Sequence, residues 1–192
     1  EMDQVNALVD TILPEYFATH RFERLRIWSA ACAKGEEPIS IAIALNEAGW
    51  FERARIDIHG TDASTSAIAR ARQATYGERS FRALPAHLRQ KYFIESEKGS
   101  VIKPEIHSRI KWSNLNLHNE RQVSELAGVP MVFCRNVFIY FSEGSIRKTA
   151  RLLYSNMPSP AYLFIGVSES LLRVGTGFEL KEIDGAFVYI KG

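Results

Sequence analysis

Residues 25–49 read LRIWSAACAKGEEPISIAIALNEAG, and the order of apolar, small and polar residues in them predicts the fold class. Residues 25–32 form a short apolar segment that runs into small residues, which predicts a buried strand. Residues 36–49 predict a helix, because Pro38 lies in the first turn and Gly49 at the end, as is typical of helix boundaries. A strand followed at once by a helix is the repeating unit of α/β folds.

The same alternation continues on both sides of this unit. The remaining predicted strands and helices are strands at 54–62, 109–117, 131–134 and 161–168, and helices at 5–13, 64–77, 120–128 and 143–157. Alternation of this kind predicts a doubly wound, mostly parallel sheet with helices on both faces. The last two strands meet at Asp184-Gly185, a favoured hairpin pair, and bring one antiparallel strand into the sheet.

The chain of 192 residues is predicted to be one domain, residues 1–192. Residues 78–107 break the alternation, and we expect a small β insert there, with two strands around the turn SEKG.

Composition and charge indicate an ordinary soluble protein, with 46% hydrophobic and 24% charged residues and a net charge of +2. Nothing in this balance suggests nucleic acid as a partner, and no apolar run approaches the ~20 residues that span a bilayer. The two cysteines, Cys32 and Cys134, do not make a disulfide scaffold. They are typical of a reducing compartment, so we expect a cytoplasmic protein without membrane insertion.

A polar pair interrupts the apolar stretch VFCRNVFIYF, residues 132–141. Buried charged and amide groups are costly without partners, so Arg135 and Asn136 need a reason to be there. In open α/β sheets, ligands bind beyond the carboxyl ends of the strands, where the strand order reverses. We therefore expect the strand to end at Cys134 and the polar pair to face a ligand.

The loop SAACAKGEEP, residues 29–38, is neither a P-loop nor a G-x-G-x-x-G turn. Glu36 and Glu37 would repel a pyrophosphate and suit a cationic ligand. The alternative is that they are acids placed favourably at a helix N-terminus.

Asp62 ends the second strand, a position where an acid commonly binds ribose hydroxyls. Its alternative role is to cap the helix that begins near Ser64. Asn114 ends the next strand and either reads an adenine edge or is a turn residue. Adenosine, a positive charge and no phosphate together point to S-adenosylmethionine.

Five segments carry a resemblance to a known family: RIWSAACAKGEEPISIAIAL, GTDAS, NLNL, FCRNVFIYF and LFIGVSESL. In this order and spacing they resemble the CheR-type chemotaxis protein-glutamate O-methyltransferases over nearly the whole chain. The resemblance implies a seven-stranded, Rossmann-like methyltransferase fold. It also implies S-adenosylmethionine as cofactor and S-adenosylhomocysteine as product.

The resemblance also implies roles for individual residues. Glu37 contacts the methionine end of the cofactor, and Asp62 holds the ribose. The other implied cofactor-binding residues are Asn114 and Leu115 near the adenine, and Arg135 and Asn136 in the pocket wall. Tyr140 lies beside the transferable methyl and, with Arg135, is the catalytic candidate; without the motif, Tyr140 would be read as a core aromatic. No metal is expected, since the five histidines share no ligand spacing.

The implied function is methylation of glutamate side chains on the cytoplasmic helices of chemoreceptors, by a monomer. Full-length members carry an N-terminal helical domain that we expect to be absent from this chain. The alternative is therefore a module that binds the cofactor or its product without methylating. A methyltransferase of another substrate class is less favoured, because amino-directed enzymes often have N/D-P-P-Y where this chain has RNVF.

Overall fold

The computed structural model describes residues 2–21 and 23–192. The strands are β1 (Leu25–Ala30), β2 (Ile56–Asp62), β3 (Thr75–Tyr76), β4 (Phe93–Ser96), β5 (Gly99–Ile102), β6 (Ile110–Asn114), β7 (Met131–Phe133), β8 (Ala161–Phe164), β9 (Glu179–Ile183) and β10 (Ala186–Lys191). The α-helices are α1 (Met2–Ala7), α2 (Leu13–Thr19), α3 (Glu36–Glu47), α4 (Trp50–Arg53), α5 (Thr65–Gln73), α6 (Ala86–Tyr92), α7 (Pro104–His107), α8 (Glu120–Leu126) and α9 (Glu143–Asn156).

The main sheet has seven strands in the order β6-β2-β1-β7-β8-β10-β9 over the described residues. The pairs among β6, β2, β1, β7 and β8 are parallel, and β10 is antiparallel to both of its neighbours. The predicted doubly wound sheet with one antiparallel strand is confirmed. The chain leaves β1 toward β2 on one side, and β7 lies on the other, so the strand order reverses between β1 and β7.

Alternate residues of the central strands pack on opposite faces of the sheet, as the two-residue period of a strand requires. Ile27, Phe133 and Phe164 lie in one hydrophobic cluster, together with buried residues of α1, α2 and α3. Trp28 and Val132 lie in the second cluster, with buried residues of α8 and α9. The sheet is therefore covered on both faces, which explains why its central strands read as continuous apolar runs.

The N-terminal helical segment is longer than the predicted 5–13. Helices α1 and α2 are joined by a π-helical turn, Leu8–Ile12, that keeps the apolar side chains Leu8, Ile12 and Leu13 buried. Pro14 follows this turn and has no N–H to donate to the residue four positions back, which is a common local cause of an altered helical register.

The insert contains a third strand that the sequence reading assigned to a helix. The predicted helix 64–77 ends at Gln73, because Ala74 adopts the left-handed conformation with φ 52°. The chain then extends, and β3 pairs with β5 to complete a three-stranded antiparallel sheet in the order β3-β5-β4 among the described residues. The expected two-stranded insert at 78–107 thus begins earlier and has three strands.

The closing hairpin turns at Asp184 and Gly185, whose φ values of 48° and 76° are both positive. Positive φ at both central residues is what the two-residue hairpin turn of type I′ requires. Within residues 2–21 and 23–192, the search for helices long and apolar enough to cross a membrane finds no candidate.

Candidate functional site

A cavity of about 410 Å³ opens at the carboxyl ends of β1 and β7, where the strand order reverses. This volume lies within the range of pockets that bind small molecules. Its described lining residues are Met2, Val5, Ala31, Cys32, Ala33, Glu36, Glu37, Ser40, Ala83, Arg135 and Asn136. Three of the predicted site residues, Glu37, Arg135 and Asn136, therefore meet in one wall.

The loop between β1 and α3 is tightly turned. Ala31 and Ala33 have φ values of 59° and 50°, and Gly35 has φ 92° immediately before α3 begins. A Cβ at Gly35 would lie 2.6 Å from the Trp112 ring, and one at Gly60 would lie 2.7 Å from it. Glycine at both positions therefore lets the loop and β2 pack directly onto the indole of Trp112, which sequence reasoning missed.

Glu37 is held from two sides in the first turn of α3. Its Oε1 accepts a hydrogen bond of 2.5 Å from the hydroxyl of Ser29, which is fully buried in β1. Its Oε2 lies 3.4 Å from Arg135 Nη1, and the Glu37 and Arg135 side chains are only 20% and 10% exposed. This contact joins the first turn of α3 to the loop after β7, which the sequence did not indicate, and Ser29 was not among the predicted residues.

Asp62, Asn114 and Leu115 form a second group at the ends of β2 and β6. Asp62 Oδ2 accepts from the N–H of Ala33 at 2.9 Å, and Oδ1 accepts from the N–H of Ser64 at 2.8 Å. The Asp62 carbonyl accepts from Asn114 Nδ2 and from the N–H of Leu115. The cap of α5 is Ser64, whose hydroxyl accepts from the N–H of Ala67, and not Asp62.

These bonds connect the second group to the cavity. Ala33, which lines the cavity, is the residue that Asp62 holds. A carboxylate has about four acceptor sites, so the two backbone bonds leave Asp62 with capacity for a ligand hydroxyl.

Tyr140 is exposed to solvent, unlike Glu37 and Arg135. It ends a short 3-10 turn, Phe138–Tyr140, and its side chain is 80% exposed. It is not among the described residues that line the cavity. The alternative reading of Tyr140 as a core aromatic is wrong, because it is Phe138 that is buried in this turn.

The electrostatics of the cavity are mainly acidic. Burial, with smaller effects from Asp62, Glu37 and Glu36, raises the pKa of the Cys32 thiol from 9.0 to about 12. Burial also raises the pKa of Cys134 well above its ordinary value. Both cysteines are free and buried, so the two thiols are neutral at physiological pH.

The chemistry of this donor set fits S-adenosylmethionine. The carboxylates of Glu36, Glu37 and Asp62 all raise the pKa of Cys32, which lines the cavity, and the guanidinium of Arg135 is paired with Glu37. This balance favours a ligand that carries positive charge and no phosphate. The turned loop of small residues also allows a ligand to approach the backbone closely.

Comparison with known proteins agrees with this fit. A family model described as "CheR methyltransferase, SAM binding domain" matches residues 1–187. Chemotaxis protein methyltransferase 2 of Vibrio cholerae serotype O1 is 32% identical over 194 residues, which cover 100% of this chain and 67% of that protein. Chemotaxis protein methyltransferase 1 of Pseudomonas aeruginosa is 34% identical over 191 residues, which cover 95% of this chain and 68% of that protein.

A solved structure supports the fold alone. The DszA carbon methyltransferase is similar with a TM-score of 0.52 and 13% identity, over 82% of this chain and 33% of that chain. The sequence match, which spans almost the whole chain, decides the family. The chain belongs to the CheR methyltransferases, as their S-adenosylmethionine-binding domain.

Proposed function

We propose that this domain transfers the methyl group of S-adenosylmethionine to glutamate side-chain carboxylates on the cytoplasmic helices of chemoreceptors. The observation that carries the proposal is the Glu37–Arg135 ion pair in the wall of the cavity. An α-amino acid presents an ammonium and a carboxylate close together, and a carboxylate beside a guanidinium matches both charges. The names of the relatives, chemotaxis protein methyltransferases, support the choice of substrate.

The remaining predicted residues complete this assignment. We assign Asp62 to the ribose, Asn114 and Leu115 to the adenine, and Asn136 to the pocket wall. The proximity of Asp62 to Asn114 and Leu115 supports a continuous adenosine site. The Asn114 side chain and the Leu115 N–H both donate to the backbone carbonyl of Asp62.

For this reaction the protein mainly has to align the acceptor carboxylate with the methyl group. When bound, S-adenosylmethionine supplies a methyl group on a sulfonium sulfur. A glutamate acceptor has an ordinary pKa near 4.3 and is already ionised at neutral pH, so no strong general base is needed. The contribution of Arg135 and Tyr140 is to orient the acceptor and balance its charge.

The exposure of Tyr140 is consistent with a protein substrate. A hydroxyl on a side chain that is 80% exposed is accessible to a residue carried by another macromolecule. An acceptor of this kind does not need to enter the cavity completely.

The experiment is transfer of radiolabelled methyl to receptor-enriched membranes, followed by mild base. Carboxyl methyl esters release the label as volatile methanol, and we expect that release with the wild-type domain. Arg135→Ala should abolish it, whereas Arg121→Ala should leave it unchanged, because Arg121 is 89% exposed and pairs with Glu125 within α8. Label that resists base would show a different acceptor and would refute the glutamate assignment.

A second candidate function is binding of the cofactor or its product without methyl transfer. The observation in its favour is that Tyr140 is absent from the described cavity lining. Binding of S-adenosylhomocysteine in calorimetry, together with no labelled ester on any receptor preparation, would favour this candidate.

A further inference from the structure

The carboxylate of Glu169 accepts three backbone N–H groups. Its Oε2 accepts from Gly166 at 2.6 Å and from Asn136 at 2.9 Å, and its Oε1 accepts from Ile139 at 3.2 Å. Hydrogen bonds to an ionised acceptor are shorter and stronger than neutral ones. Glu169 belongs to the loop after β8, yet two of its three donors belong to the segment that follows β7.

A local turn does not account for this arrangement. The N–H of Glu169 donates to the carbonyl of Gly166 at 2.9 Å, and this bond with the Gly166 N–H contact closes the turn after β8. The contacts to Asn136 and Ile139 span 33 and 30 residues, and they add nothing to that turn. They join two separate loops at the cofactor edge of the sheet.

The junction is also tightly packed. Asn136 adopts a left-handed conformation with φ 57°, which is uncommon outside glycine. A Cβ at Gly166 would lie 2.5 Å from Asn136 Oδ1 and 2.9 Å from Glu169 Oε2. The left-handed backbone of Asn136 therefore sits against a glycine, with its N–H directed at a carboxylate.

The segment that Glu169 holds, residues 135–140, carries the predicted site. Arg135 contacts Glu37 at 3.4 Å, Asn136 lines the 410 Å³ cavity, and Tyr140 follows Ile139 directly. Glu169 itself lines a neighbouring cavity of about 460 Å³ at the end of β8. Glu169 therefore lines one cavity and bonds to a residue that lines the other, and it fixes the segment at both Asn136 and Ile139.

We propose that Glu169 is a positioning residue for the methyl-transfer site. It holds the 135–140 segment so that Arg135 and Asn136 face the cofactor and Tyr140 stays at the rim. This inference rests on the proposed function for its effect on transfer, but its effect on cofactor binding and on the backbone does not depend on the acceptor. Glu169 lies in the segment LFIGVSESL, but the sequence does not indicate which groups its carboxylate contacts.

The test is Glu169→Gln, which keeps the size of the side chain but replaces one acceptor oxygen with a donor. At least one of the three N–H groups then faces an NH₂ group. We expect amide hydrogen exchange at Asn136 or Ile139 to become roughly tenfold faster. We also expect displacement of the segment to weaken S-adenosylhomocysteine binding and to lower kcat, each by roughly tenfold or more, while the KM for the acceptor stays nearly unchanged. Glu125→Gln is the matched control, because Glu125 is exposed and pairs only with Arg121 among the described contacts.

A folded Glu169→Gln protein with wild-type exchange, affinity and kcat would overturn the proposal, as would a lower melting temperature without any of these changes. If that variant does not fold, Glu169→Asp decides. It keeps the charge but shortens the side chain, so the same three changes are expected, and wild-type values would again overturn the proposal. Failure of the wild-type domain to methylate receptors would refute the proposed function, while the exchange and affinity measurements would still test Glu169.

Discussion

Asp62 combines a structural and a proposed binding role in one side chain. Its two carboxylate oxygens hold the N–H groups of Ala33 and Ser64, so it joins the loop after β1 to the start of α5. The remaining lone pairs are available for a ribose. A carboxylate that is already oriented by the backbone does not have to be ordered when the ligand binds, which favours affinity.

We predict that Asp62→Ala lowers the affinity for S-adenosylhomocysteine by roughly 1.5–3 kcal/mol, the scale of a hydrogen bond to a charged group. Isothermal titration calorimetry measures the change. Asp57→Ala is the control, because Asp57 lies on the same strand but pairs with Arg24. Unchanged affinity in folded Asp62→Ala would remove Asp62 from the ribose site.

Cys32 provides a residue-scale test of the electrostatics. Because its pKa is raised from 9.0 to about 12, the thiolate fraction of the native protein below pH 9 is about a thousandfold smaller than in the unfolded chain. In a Cys134→Ala background, we expect native alkylation by iodoacetamide to be slow and to keep rising with pH beyond 9. Alkylation in denaturant should be half-maximal near pH 9 and level off roughly one to two pH units higher, and a native profile with the same midpoint would contradict the buried, acidic environment.

At the scale of elements, the β1–loop–α3 unit depends on a close approach to β6. The ring of Trp112 on β6 occupies the space that a Cβ at Gly35 or Gly60 would need, so the loop packs directly against the sheet. The small residues of the loop are therefore needed for packing as well as for access to the ligand.

Gly35→Ala tests this packing. The added Cβ would stand 2.6 Å from Trp112, at a residue whose φ is 92°. We expect the free energy of unfolding to fall by about 1–3 kcal/mol, measured by urea denaturation. Gly144→Ala is the control in α9, where only the Ser142 hydroxyl comes within 4.0 Å of the added carbon. Equal stability of the two variants would contradict the proposed contact.

A buried amide adds to the apolar packing that holds the N-terminal helical segment on the sheet. Gln4 is 6% exposed, and its Nε2 donates to the carbonyls of Ile165 at 2.9 Å and Phe187 at 3.2 Å. Since both partners are acceptors, the orientation of the amide is determined. This contact joins α1 to the ends of β8 and β10, beside the cofactor edge.

We expect Gln4→Leu to lower the free energy of unfolding by about 1–3 kcal/mol, because it removes the donor from two partly or fully buried carbonyls. Thermal or urea unfolding measures the loss. Gln73→Leu makes the same chemical change at an exposed position at the end of α5 and should have little effect. Coincident unfolding curves for both variants and wild type would show that Gln4 does not secure α1.

For the whole molecule, ligand binding and stability are linked. A ligand present at 100 times its dissociation constant stabilises a protein by about 2.7 kcal/mol. In a domain of 192 residues, that corresponds to a rise in Tm of roughly 5–10 °C. We expect this rise with S-adenosylhomocysteine in differential scanning fluorimetry.

NAD at the same concentration should cause little or no rise, because Glu36, Glu37 and Asp62 oppose a pyrophosphate. An equal rise with both ligands would contradict the charge argument. A rise with S-adenosylhomocysteine that persists unchanged in Asp62→Ala would contradict the assigned adenosine site.

The amino-acid sequence was sufficient to predict the alternation of strands and helices, the antiparallel closing strand and the strand ends where polar residues collect. These are local signals, since periodic burial, helix caps and the Asp184-Gly185 turn act within a few residues. The family followed from motifs of the same kind. Glu37, Asp62, Arg135 and Asn136 could be selected because they follow predicted strands or open a predicted helix.

The contacts that hold these residues are visible only in the folded chain. Ser29 and Arg135 meet Glu37 because β1 and β7 are adjacent, and Trp112 reaches Gly35 and Gly60 because β6 lies beyond β2. The third strand of the insert exists because Thr75 and Tyr76 find a partner in β5. Glu169 reaches Asn136 and Ile139 only when the loops after β7 and β8 are side by side. Contacts of this kind leave no period in the sequence, because they depend on which strands become neighbours.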